Sequence, residues 1–198
     1  MSEVMYAPPA ANIEVTSSDE DDFYVVAPRK FYLLSVLTLN LYLVYWFYRS
    51  WRLVKQRTGN SMLPPLRGLF YIFFTHSLFT EIDQRIKSLG KSFVWNPGSL
   101  ATVVVLLAIM SNVLDRLSAQ NIGSPLTDFA GIAIVPIIPA FLLKAQEAIN
   151  TACGDPTGAG NGQFTLANWI WMIFGGLIWA LVLFGLYLVI LEPELFMN

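Results

Sequence analysis

The chain has 198 residues, of which 55% are hydrophobic and 13% charged, about half the charged fraction of a soluble domain. A formal net charge of -2 gives no cue for nucleic acid, and the single cysteine, Cys153, excludes an intrachain disulfide or a cysteine-based metal cluster. That much apolar surface needs lipid contact.

Residues 1–28 hold six acids (Glu3, Glu14, Asp19, Glu20, Asp21, Asp22), three prolines and no Lys or Arg. Without a basic stretch before an apolar core, this is not a cleavable signal peptide. Residues 1–27 read as a disordered acidic tail, and 28–198 as a helical membrane domain. The run 16–22 suits an acid-directed kinase or simply a solvated tail.

Residues 31–48 are uncharged, with Arg29 and Lys30 before them and Arg49, Arg52, Lys55 and Arg57 after. The polar triplet Thr38-Leu39-Asn40 interrupts the segment, and Tyr42, Tyr45, Trp46, Tyr48 and Trp51 are amphipathic aromatics suited to headgroup depth. The first segment, about 31–57, is therefore a tilted span or a re-entrant element, with re-entry the better fit.

Pro64 and Pro65 suit a helix first turn and Gly90 its C-cap, so about 65–89 reads as one long helix. From Thr75 onward His76, Thr80, Asp83 and Lys87 line one face and Leu78, Phe79, Ile82, Ile86 and Leu89 another. The acid-first pairs Glu81/Arg85 and Asp83/Lys87 add about 0.3–0.5 kcal/mol each. Only 13 residues lie between Arg67 and Glu81, too few for a crossing, so an interfacial helix is expected.

Three spans follow, at about 97–117, 126–148 and 165–191. The second is kinked by Pro136 and Pro139, each of which removes a backbone donor. The third contains 23 consecutive apolar or glycine residues, 169–191, about 35 Å of helix against a hydrocarbon core of about 30 Å. The loop GDPTGAGNG (154–162) is flexible by composition and lacks the G-K-[ST] ending of a phosphate loop. The fold class is all-α: an integral membrane helical bundle with three spans, one re-entrant or spanning N-terminal segment and one amphipathic interfacial helix.

Residues 49–91 hold eight basic residues against Glu81 and Asp83, a balance of +6, whereas the 115–128 loop holds only Arg116. The positive-inside rule places 49–91 in the cytoplasm and, after three crossings, the C-terminus outside.

The run Lys30, Leu34, Ser35, Thr38, Tyr42, Tyr45, Trp46, Tyr48 resembles a family of uncharacterised bacterial membrane domains of unknown function, with the pattern K-x-x-x-L-S-x-x-T-x-G-x-Y-x-x-Y-W-x-Y. Asn40 stands where that family has glycine. The stretch 65–70 with Phe73, Phe74, Leu78 and Phe79, and later Gln146, Ile149 and Asn150, is similar to longer members of the group. The resemblance implies a multi-pass protein of the bacterial inner membrane and implies no activity; in such a membrane the charge asymmetry makes the C-terminus periplasmic.

Candidate chemistry is sparse. His76 has no second ligand at metal spacing and reads as an interfacial side chain; no metal, cofactor or catalytic residue is expected. Asp115 and Arg116 are a charge pair at a span end, and Asn40 and Asn112 need partners, expected on another helix. Lys144, Gln146, Glu147 and Asn150 form a candidate polar cluster, or a solvated helix end. Gly176, Ala180 and Gly185 are a candidate helix-packing seam. Arg49, Arg52, Lys55, Arg57 and Arg67 are candidate contacts for anionic lipid or a partner. The expected function is a non-enzymatic accessory, assembly or interaction subunit, bound to lipid and to another membrane protein or itself. The alternative is an oligomeric transporter or channel lined by the Pro136/Pro139 helix.

Overall fold

The structure, a computed structural model, describes residues 22–191. Its helices are α1 (Pro28–Leu37), α2 (Leu41–Thr58), α3 (Pro64–Leu69), α4 (Tyr71–Ser88), α5 (Pro97–Ala119), α6 (Leu126–Ala152) and α7 (Leu166–Leu191), with no strand among the described residues. Helices α5, α6 and α7 are long and apolar enough to cross a membrane, as the composition requires. The Asn96 side chain accepts from the Ser99 N–H at 2.9 Å to start α5. Thr165 and Asn168 cap α7 reciprocally.

The first segment is a helical hairpin, the geometry expected of a re-entrant element. Leu39 and Asn40 take left-handed conformations (φ 48° and 66°) and turn the chain back between α1 and α2. Asparagine tolerates this geometry at a position where glycine is usual. Phe31 of α1 packs its ring edge-on against Trp46 of α2, centroids 5.5 Å apart, so the two helices lie side by side. Both ends of the hairpin meet the end of the bundle that carries the α6–α7 loop. There Lys30 donates to the Asn161 side chain and the Gln163 carbonyl, both at 2.6 Å.

The tip of this hairpin stops midway along the spans. A helix end in lipid must satisfy its free carbonyls internally. Trp179 Nε1 donates to the Val36 carbonyl at 2.9 Å, and Thr38 Oγ1 donates to Leu34 O at 2.7 Å while accepting from the Tyr42 N–H. Asn40 Nδ2 donates at 3.0 Å to the carbonyl of Val135 in α6. Val135 is four residues before Pro139, which has no N–H to offer it.

The expected single helix 65–89 is two helices that reverse at Phe70. Gly68 lies against Val44 and Tyr48 of α2, Tyr71 stacks on Phe47 at 4.8 Å, and ten residues on, Glu81 pairs with Arg57. Helix α3 thus descends along α2 and α4 climbs back. A continuous helix cannot satisfy both, because the 59–63 connection is too short to carry Pro64 to the far end of α2. The turn exposes Leu66, Leu69, Phe70 and Phe73, the last at 77%.

Two further expectations change. Residues 22–27 are not a loose tail: Phe23 and Val26 are fully buried, and the boundary moves to before Asp22. Residues 1–21 lie outside the described residues. The 154–162 loop is held by the Asp155 carboxylate, which accepts from the N–H groups of Ala159 and Gly160 at 3.0 and 2.9 Å. Its Gly158 is pressed against Val26 with φ 67°, where a Cβ would sit 2.5 Å from the Val26 carbonyl oxygen.

The core sits in one half of the bundle. In α5 only Ala101, Val104 and Ala108 are buried; in α6 burial begins at Ile134; α7 buries Gly175 alone. The remaining core comes from α1, α2, α4 and residues 22–27.

Candidate functional site

The basic residues of α2 and α3 gather at the end of the bundle that also holds the α6–α7 loop, but they do different things. Arg57 is engaged internally. Its guanidinium pairs with Glu81 and lies 3.8 Å from Asp22 and 5.0 Å above the Phe23 ring. Asp22 in turn accepts from Arg85 Nε at 2.5 Å, so one carboxylate ties the N-terminal segment to both α2 and α4. The acid-first pair Asp83/Lys87 forms at 2.6 Å, whereas Glu81 is taken by Arg57.

Arg67 is held differently. Its guanidinium lies 4.2 Å from the Trp51 ring centroid and 5.1 Å from that of Phe74, clamped between two aromatic faces. No carboxylate pairs with it among the described residues. It borders a cavity of about 450 Å³ with Asn60, Ser61, Ser77, Glu81, whose carboxylate is paired with Arg57, and Trp51, whose indole N–H is buried without an acceptor among the described residues. Contact with both rings holds the guanidinium in place, and its N–H donors, unpaired with any carboxylate among the described residues, are the groups that recognise phosphate oxygens. Arg49 stacks 5.4 Å from the Tyr24 ring, while Arg52 and Lys55 are exposed.

The polar cluster at the end of α6 divides by face. Lys144 and Glu147 form an exposed pair at 3.3 Å, and the Lys144 ammonium lies 4.5 Å above Phe93. Gln146 and Asn150 are wholly buried and bind the chain itself. The Gln146 side-chain carbonyl accepts from Trp46 Nε1 at 2.5 Å, and its amide donates to Asn150 Oδ1 and the Tyr24 carbonyl. Asn150 exchanges hydrogen bonds with the backbone of Val26. These two amides act as a strand partner for the extended segment 22–27, satisfying backbone groups that have no sheet or helix to join.

In the proposed seam, a Cβ added at Gly176 or Gly185 would meet nothing within 4 Å, and Ala180 is exposed. Close approach within the chain occurs one residue earlier, where a Cβ on Gly175 would fall 1.9 Å from the Leu37 carbonyl oxygen. At the opposite end, α7 stands off from α5 and α6 and leaves a cavity of about 420 Å³. Leu39, Asp115, Asp128, Gly131, Val135 and Gly185 border it, and neither Pro136 nor Pro139 does. Asp128 accepts from Ser118 and Ser124, and Asn112 bonds back to Ala108 of its own helix rather than to another. His76 is exposed and bonds Thr102 at 3.1 Å; Cys153 is buried.

Sequence reasoning did not find Asp22, Gly68, Gly175 or Trp179. Gly68 carried a usable signal, since a glycine inside an amphipathic helix weakens it unless a neighbour needs the space.

No family model matches this chain, and no curated protein or solved structure matches it either.

Proposed function

We propose that this protein is a non-enzymatic, multi-pass membrane subunit whose basic end engages anionic lipid headgroups and, through them, holds a partner or a second copy at the bilayer surface. The observation that carries this reading is the Arg67 guanidinium, stacked between Trp51 and Phe74 beside a polar cavity. Arg49, Arg52 and Lys55 extend the same surface, whereas Arg57 serves the fold. A basic group near an anionic leaflet contributes about 1 kcal/mol, so Arg67→Ala lowers affinity for anionic lipid about fivefold. Arg67→Lys keeps the charge but not the planar stack, and recovers only part of it.

The test is binding of the detergent-purified protein to nanodiscs with and without anionic lipid, at low and high salt. Equal affinity of wild type and Arg67→Ala at low salt overturns the headgroup reading. The charge asymmetry and the resemblance in residues 30–48 favour a bacterial inner membrane with the basic end cytoplasmic and the C-terminus periplasmic.

A further inference from the structure

We propose that this protein is a one-sided wedge that concentrates where the leaflet next to its basic end is convexly curved. The occupant of its exposed hairpin surfaces is the acyl-chain region of that leaflet.

The geometry carries this in three steps. First, both hairpins enter from one end and neither passes through. The α1–α2 tip meets α6 at Val135 and α7 at Gly175 and Trp179, near the middle of each span. The α3–α4 turn is shallower, with Gly68 against Val44 and Tyr48, and it presents Leu66, Leu69, Phe70 and Phe73 outward. Second, burial follows the same division: residues 109–119 of α5 and 126–133 of α6 contain no buried side chain. One half of the bilayer accommodates seven helical segments and the other half three. Third, a helix about 10 Å across occupies about 80 Å² of membrane plane, so four extra segments add about 300 Å² to one leaflet alone. Such an inclusion fits with least strain where that leaflet is stretched outward, as half-inserted amphipathic elements generally do. Arg49 and Arg67 lie on their aromatic supports above the apolar turn, the order of groups expected at a leaflet surface.

The test uses the full chain, fluorescently labelled and reconstituted into mixed-size vesicles of neutral lipid, with density per vesicle area read one vesicle at a time. Molecules are sorted by whether a protease added outside cuts at the basic end. Those with the basic end outward become several-fold denser on the smallest vesicles than on the largest, and those facing inward show the reverse. Equal density at all diameters in the outward population overturns the proposal. Phe70→Asp with Phe73→Asp withdraws the shallower turn from the acyl chains and weakens the size dependence; an undiminished dependence overturns the part assigned to α3–α4. In a Cys153→Ser background, a fluorophore attached to Phe73→Cys is quenched by lipid-borne quencher. Crosslinking between copies at that position, without quenching, shows protein instead of lipid on the turn and overturns the wedge. High salt leaves the size dependence unchanged, since area and not charge produces it, so failure of headgroup binding and failure of the wedge are separate outcomes.

Discussion

Pro139 explains why an asparagine stands at position 40. The proline leaves the Val135 carbonyl without its helical donor, and the Asn40 amide supplies one from the α1–α2 turn. Asn40→Gly keeps the left-handed turn but orphans that carbonyl at bilayer depth, and lowers stability by about 1–2 kcal/mol in a denaturation titration in mild detergent. Gly175 and Gly176 make a sharper contrast. A methyl at 175 collides with the Leu37 backbone while one at 176 meets open space. Gly175→Ala therefore loses about 1–3 kcal/mol or more and Gly176→Ala stays near wild type in the same titration. The apolar run 169–191 displays both glycines alike; which one faces α1 depends on the rotation of α7 about its axis, which an unpatterned apolar helix does not encode.

At the scale of elements, the extended segment 22–27 and the 154–162 loop stabilise one another. Gln146 and Asn150 bind the first, Gly158 packs on Val26, and Lys30 reaches Asn161. Deleting residues 1–21 removes five acids and keeps Phe23 and Val26, so binding to anionic lipid strengthens at low salt. Deleting 1–27 also removes Phe23 and Val26 and lowers the unfolding midpoint sharply. The loop carries a pH signature. The N–H groups of Gly160 and Ala159 hold the Asp155 carboxyl below its usual range. A depressed folded value means the stabilisation is complete above the ordinary aspartate pKa and is lost as pH falls through the lowered value. Protection of the loop amides from hydrogen exchange stays constant near neutrality and drops only in that acidic window; Asp155→Asn abolishes the drop. Composition marked this loop as flexible because glycine content reports backbone freedom, not the acceptor that consumes it.

At the scale of the molecule, the hairpins put residue 22, the 59–63 connection and the α6–α7 loop at one end, with the α5–α6 connection at the other. Reporters at the N-terminus and near Asn60 therefore fall in one compartment, and a reporter near Ile122 in the other. An N-terminal reporter opposite to the one at Asn60 is the outcome that a spanning first segment requires.

The three spans, the breaks at Thr38-Leu39-Asn40 and at Pro136/Pro139, and the basic cluster after the first segment are legible in the residues, because bilayer crossing is a constraint on length and composition that each segment meets alone. The reversal at Phe70, the burial of 22–27 and the division of the basic residues into Arg57, held by Asp22 and Glu81, and Arg67, held by Trp51 and Phe74, are not. A helix that stops halfway needs a donor for its free carbonyls, and Trp179, which serves the Val36 carbonyl, is 143 residues away, while Asn40 is 95 residues from the Val135 carbonyl it serves. Local pattern sets which segments enter the membrane; only the tertiary packing decides how far each goes before it turns.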